Sequence, residues 1–384
     1  MPFDVRDVSD LRPGDKAADP RSRHMVAAWL FGVAGMILIM VVIGGVTRLT
    51  GSGLSIMEWA PISGVLPPLT AAAWQKLFDL YKQVPQYALV NQGFGLAGFR
   101  QIFWLEWIHR LWGRLIGVAF LGPLVWLWSS GRIEGRLRPR LALLFVLGGL
   151  QGAVGWFMVA SGFLPDTTAV SAYRLVIHLV LALALYAAIV WIGLGVLRPV
   201  PASPILPGVP ILSESRSFGL PIGPLTEPVV AARWMRRLAT LLFVLVALTI
   251  IAGGFVAGTR AGFDYNSFPL MAGHLVPTGY ARLSPFIRNL TENIAAVQFD
   301  HRVLATLTAL VSATIVTIGV STPSLRPVRR MVLLLASAVA VQYVLGVTTL
   351  LLVDPVGLAA AHQAVAVLVL TAALAMLHAL RGAA

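Results

Sequence analysis

Trp104-Leu105-Glu106-Trp107-Ile108-His109-Arg110-Leu111-Trp112-Gly113-Arg114 sits inside a run that otherwise reads as a membrane-spanning helix. It carries a carboxylate, an imidazole and two guanidinium groups where hydrocarbon is the rule. Ionisable groups at membrane depth are expensive, so they mark function by default. A second stretch, Val297-Gln298-Phe299-Asp300-His301-Arg302, repeats the His-Arg pair in a later apolar run. The rest of the chain reads as a frame for these two stretches.

That frame is a membrane protein. Of 384 residues, 58% are hydrophobic and 12% charged, with a mean hydropathy of +0.82. A soluble domain carries about 25% charged residues. The net charge of +13 suggests nucleic acid at first sight. The basic residues flank apolar runs instead of forming one soluble patch, so no nucleic-acid partner is expected and the lipid bilayer is. The absence of cysteine excludes disulfides, thiolate metal sites, iron–sulfur ligation and cysteine nucleophiles.

Outward from the opening stretch, apolar spans are expected at 25–46, 101–128, 140–160, 172–197, 236–257, 294–319, 330–352 and 359–380. The first is too long for a signal-peptide core. Eight helices place both termini on one side. The tail (1–24), the even-numbered loops and the C-terminus hold 18 Lys and Arg residues, against 7 in the odd-numbered loops. Both termini are therefore expected in the cytoplasm. The longest outer loop, 47–100, includes a stretch at 71–84 with a helical apolar period. It fits a helix lying on the membrane surface or a loop packed on the bundle. Residues 198–235, with eight prolines and no long apolar run, read as a cytoplasmic linker.

The segments on either side of that linker resemble each other. Gly44-Gly45 and Gly253-Gly254 close the first and fifth spans. Thr47-Arg48 and Thr259-Arg260 follow them. His109-Arg110 matches His301-Arg302, Gln151-x-x-x-Gly155 matches Gln342-x-x-x-Gly346, and His178 matches His362. Each half has four spans, so both start on the same side and the repeat is parallel. The expected fold is an all-α integral membrane protein of eight transmembrane helices, arranged as two parallel-repeat four-helix bundles. The N-terminal bundle takes 25–197 and the C-terminal bundle 236–384.

His109 lies about eight residues into its span, roughly 12 Å deep at 1.5 Å per residue. His178, His301 and His362 lie at comparable depth or nearer the outer ends of theirs. A lone intramembrane histidine is most often a satisfied structural residue; four at matched positions in two repeats are a different matter. Two imidazoles on facing helices of a four-helix bundle suit bis-histidine ligation of a porphyrin iron. Zinc fits less well, because a tetrahedral site needs more ligands than two per half. His24, His274 and His378 are expected to be solvated or interfacial. Arg110, Arg114 and Arg302 are candidate partners of haem propionates, with Glu106 and Asp300 as the competing counter-ions.

The halves differ at one telling position. Glu106 stands three residues before His109, and Gln298 three before His301. One half thus offers a proton acceptor and the other its neutral isostere. That places the chemistry in the N-terminal half, with a structural or electron-transfer site in the C-terminal half. The plainer alternative is that Glu106 only pairs with Arg110 or Arg48.

At this point the chain resembles haem A synthase, of the cysteine-less proteobacterial and mitochondrial branch. The resemblance rests on Gly44 to Ser55 (GGVTRLTGSGLS), Trp59 to Pro68 (WAPISGVLPP), Tyr81 to Pro85, Phe99 to Phe103, Glu106-x-x-His109-Arg110 and Gly113-Arg114. In the second half it rests on Ala261 to Pro269 (AGFDYNSFP) and Asp300-His301-Arg302. It implies an enzyme of the bacterial inner membrane that oxidises the C8 methyl of haem O to a formyl group, giving haem A for terminal oxidases. It further implies that His109 and His178 hold the substrate or product haem, that His301 and His362 hold a haem b, and that Glu106 is catalytic. Haem O synthase, an electron-transfer partner and a second copy of the chain are the partners it suggests. The sequence departs from other bacterial members in lacking a cysteine pair in the first outer loop. Gln86 and Gly98 stand where acidic residues are expected. The competing functions are a non-enzymatic di-haem b cytochrome and, more distantly, a transporter using the histidines as a proton relay.

Overall fold

A computed structural model describes residues 19–61, 63–198 and 227–381. Among them, eight helices are long and apolar enough to cross a membrane. They are α1 (Pro20–Leu49), α2 (Leu96–Ser129), α3 (Arg138–Ala160) and α4 (Ala172–Leu197) in the first half. In the second they are α5 (Glu227–Thr259), α6 (Ile294–Ser321), α7 (Arg329–Leu351) and α8 (Val356–Ala379). Helices are what apolar runs of this length must form in lipid, because only a helix satisfies its backbone polar groups within one span. Val118, Leu334 and Val344 remain 68%, 69% and 63% exposed, side chains that a bilayer would cover. The chain is a multi-pass membrane protein.

Helix neighbours fall into two rings. In the first half α1 packs on α2, α2 on α3, α3 on α4 and α4 on α1. In the second α5 packs on α6, α6 on α7, α7 on α8 and α8 on α5. The rings meet through α1 with α8, α4 with α5, and α4 with α8. One apolar core runs through both, including Leu30 and Leu141 of the first ring and Leu242, Leu335 and Met376 of the second. At the seam, Gly45 of α1 leaves room for Gln363 of α8, whose amide donates to Val41 O at 3.0 Å. Gly254 of α5 faces Val176 and Leu179 of α4.

Two expectations change, and one that was left open is settled. Helix α5 begins at Glu227 and not at 236, because Ala232 and Met235 bury themselves in the common core and carry the helix inward of the apolar run. The remainder of the expected linker, 199–226, lies outside the described residues. Of the two readings of the 71–84 stretch, the structure matches the one in which it packs on the bundle. Ala71–Tyr81 is capped by Thr70 and buries Trp74, Phe78 and Tyr81 against Phe99 and Phe103 of α2. Gln86 is buried there too, accepting from Tyr81 Oη at 3.1 Å and donating to Gly51 O at 2.9 Å. A carboxylate would lose that second bond. Lastly, His378 is buried, not solvated: its ring meets Trp191 edge-on and Arg381 donates to it.

Candidate functional site

Each of the four matched histidines rests on a glycine of a neighbouring helix. A Cβ added at Gly44 would lie 2.9 Å from His109 Cε1, and one at Gly253 2.9 Å from His301 Cε1. At Gly155 it would lie 2.9 Å from His178 Cε1, and at Gly346 2.8 Å from His362 Cε1. No side chain fits at such a distance, so the glycines are cradles for the rings. In each ring of helices, alternate members carry the histidines (α2 and α4, α6 and α8) and the others carry the glycines. His109 and His178 lie within electrostatic reach of each other, as do His301 and His362.

One turn around each histidine helix, side chains grip the loop that follows the first helix of that half. Glu106 is 3% exposed and its carboxylate is saturated. Oε2 accepts from Ser55 N (2.7 Å), Ser55 Oγ (2.8 Å) and Ile56 N (2.9 Å). Oε1 accepts from Arg110 Nη2 at 2.6 Å and Nε at 3.1 Å. Arg110 also donates to Ile56 O and Glu58 O, and Arg114 to Ala60 O and Pro61 O. Residues at i, i+4 and i+8 share one helix face, so Glu106, Arg110 and Arg114 form a ladder holding residues 55–61. Arg48, the other expected partner of Glu106, instead reaches Ala257 O of α5.

The second half repeats the ladder with different polarity. Gln298 Nε2 donates to Ala261 O and Asp264 O, both at 2.6 Å, and its Oε1 accepts from Arg302 Nη2 at 2.6 Å. Arg302 donates to Tyr265 O and Ser267 O. Asp300 turns away to accept from Tyr280 Oη at 2.9 Å. Burial, and then this bond to Asp300, push the Tyr280 phenol above its ordinary range.

The residues fit a haem in each half. Among the described residues no three His, Cys, Asp or Glu side chains gather as a metal site. Pairs of imidazoles suit a metal whose other ligands come with it, as porphyrin iron does. Each half also holds a buried guanidinium N–H without a partner among the described residues: Arg114 Nη1 in the first and Arg302 Nε in the second. Such a donor calls for an anionic oxygen, and a propionate supplies one. In both halves the same arginine also donates to two loop carbonyls.

Two kinds of residue escaped the reading of the sequence. Ser55 and Ile56 contribute backbone donors to Glu106, and backbone donors leave no composition signal. Gln151 and Gln342 lie against His178 and His362. Their signal was present as the matched Gln-x-x-x-Gly, though nothing in it named an imidazole as the partner.

Residues 27–374 match the COX15-CtaA family, described as cytochrome oxidase assembly protein. The chain is 56% identical to the haem A synthase of Granulibacter bethesdensis, over 94% of this chain and 89% of that protein. It is 47% identical to haem A synthase 2 of Acidiphilium cryptum, over 96% and 94% of the two chains. It is 46% identical to the haem A synthase of Rhodospirillum centenum, over 96% and 91%.

Proposed function

The chain belongs to the COX15-CtaA family, and from that premise we propose that it is a haem A synthase, an oxidoreductase that converts the C8 methyl group of haem O to the formyl group of haem A. The observation that carries the site assignment is the glycine cradle, repeated at all four histidines. His109 and His178 ligate the iron of the substrate, haem O, and of the product. His301 and His362 ligate a resident haem b, which supplies one-electron chemistry when bound. Arg114 and Arg302 each give a spare N–H to a propionate; Arg110 contributes mainly by holding the loop.

Glu106 is the carboxylate of the reacting half. Removing hydrogen from a methyl group requires a proton acceptor or a fixed negative charge close by. Five hydrogen bonds fix the Glu106 carboxyl group in place, so any acceptor role it plays is exercised from one set position. The Arg and Lys distribution supports cytoplasmic termini, and a bacterial member with that topology lies in the inner membrane.

The test is pigment analysis. Purified protein from cells that make haem O should contain haem b together with haem O or haem A. Extracts of those cells should contain haem A only when the chain is expressed. Haem b alone, with no haem A in the cells, would reduce the protein to an electron carrier.

A further inference from the structure

Gln151 lies on α3 one turn before Gly155, and Gln342 on α7 one turn before Gly346. Each is on the face against which an imidazole packs. Gln151 Nε2 donates to His178 O at 2.7 Å and lies 3.1 Å from His178 Nδ1. Gln342 Nε2 lies 3.3 Å from His362 Nε2. In both glutamines Oε1 is buried without a partner among the described residues. A buried carbonyl left unpaired costs about 1–3 kcal/mol. The same orphaned atom at both matched positions points to a common cause, although the amides face different ring nitrogens: Nδ1 in His178, which leaves Nε2 for iron, and Nε2 in His362, which leaves Nδ1. No glutamine serves the other two histidines: His301 Nδ1 lies 3.1 Å from Thr249 O, and His109 Nδ1, like His362 Nδ1, has no partner among the described residues.

An imidazole that ligates iron through one nitrogen carries a proton on the other. The acceptor of that N–H fixes the ring's rotation, tautomer and basicity. A side-chain amide turned one way gives N–H to a ring lone pair; turned the other way it gives its carbonyl oxygen to a ring N–H.

We propose that Gln151 and Gln342 are positioning residues for the axial imidazoles of His178 and His362, each turning its buried amide to accept the N–H of the liganded ring. The inference rests on the reading of these histidines as iron ligands. It also separates the halves. Turning Gln151 sacrifices its bond to His178 O, whereas the amide of Gln342 makes no such backbone bond. The N-terminal half therefore holds its haem less firmly, as a site must when its occupant is a substrate that leaves.

The experiment compares Gln342→Leu, Gln342→Glu and His362→Ala as purified full-length protein in detergent, with Gln151→Leu as the matched variant. Readouts are the haem b midpoint potential and the rate of haem loss to excess apomyoglobin. Loss of an outer-shell partner costs about 10- to 100-fold in metal affinity. Gln342→Leu should thus lose haem b about 10- to 100-fold faster and at a raised potential. Gln342→Glu, which still accepts, should retain haem b at a lowered potential. Gln151→Leu should speed loss of haem O or haem A and leave the haem b potential unchanged. His362→Ala should lose haem b. If it does, and both Gln342 variants keep wild-type potential and loss rate, the glutamine inference is overturned while the ligand reading stands. A lowered yield of folded protein with unchanged potential counts the same way. Full haem b in His362→Ala would overturn both.

Discussion

Glu106 and Gln298 occupy the same turn of matched helices and look to opposite partners. Glu106 accepts from the N–H groups of Ser55 and Ile56, whereas Gln298 donates to the carbonyls of Ala261 and Asp264. The loops have been folded to suit the side chain: one presents donors, the other acceptors. Beneath them Arg110 and Arg302 do the same thing in both halves, each binding two loop carbonyls two residues apart. The third rung differs again, since Arg114 is matched by Thr306, which bonds Arg302 O and Tyr343. The difference in charge is therefore built into the backbone around it, and a single exchange cannot convert one half into the other.

The largest effects are expected where each half would lose an iron ligand. His301→Ala should reduce haem b to about a tenth or less while the protein still inserts, the scale of loss when ligation is disrupted. His109→Ala should leave haem b intact and abolish haem A. Reduced-minus-oxidised spectra read the first, and extracted pigments the second. If His109→Ala lost haem b and His301→Ala kept it, the division of labour between the halves would be reversed.

Reciprocal exchange at the matched position comes next. Glu106→Gln keeps the shape but not the charge, so Arg110 loses its counter-ion and one amide hydrogen faces a donor. We expect folded protein with haem b and bound haem O, and haem A lowered at least tenfold, about 1.4 kcal/mol in the transition state. Wild-type haem A at equal expression would leave Glu106 as a salt-bridge partner only. Gln298→Glu sets a carboxylate against two carbonyl oxygens, each left without its donor at a cost of about 1–3 kcal/mol. It should lower the melting temperature and haem b content without creating a second reacting site.

What the sequence disclosed and what it withheld follow from the same physics. Spans were legible because lipid permits few structures, and α2, α3, α4 and α6 lie within a few residues of their expected ends. The four histidines stood out because polar groups are rare at that depth. Gly44-Gly45 and Gly253-Gly254 were visible as a repeat, but their two duties were not. In each pair the first glycine receives the imidazole of its own half, and the second receives α8 or α4 across the seam. Contact of that kind depends on helix rotation, which periodicity leaves open when both faces are apolar. His378 misled for a related reason. Near a chain end it suggested solvent, yet the seam between the halves buries it against Trp191.

The glycine pairs offer a more modest comparison. Gly44→Ala and Gly253→Ala each push a methyl group into an imidazole, an overpacking worth about 1–3 kcal/mol. Both should alter the electron paramagnetic resonance signal of the iron in their own half, through rotation of one axial ring. Gly45→Ala meets the flexible end of Gln363 instead. It should leave both signals alone and weaken the association of the halves. Equal spectral changes in all three variants would mean that the cradles are general packing and not seats for the ligands.

The smallest effect is expected at the end of the seam nearest the histidines, where Arg48 of the first half faces Asp354 of the second. Asp354 lies in the turn between α7 and α8, with φ at 56°, a conformation that Asn also accepts. Burial pushes its carboxyl up from the ordinary range, and Arg48 works against that rise. A raised value means that the folded chain holds this proton more firmly than the unfolded chain. The carboxyl's contribution is then fully present below the unfolded value of about 4 and is lost as pH rises through the folded one. At neutral pH the charged form is a net cost, only partly offset by Arg48. Asp354→Asn should therefore stabilise slightly near neutral pH, by no more than about 0.5 kcal/mol. The gain should fade as the pH falls towards about 4. Thermal melts of both proteins in detergent at several pH values read the difference. Destabilisation at neutral pH that disappears on acidification would show that the Arg48–Asp354 attraction outweighs burial, and that this ion pair helps to hold the halves together.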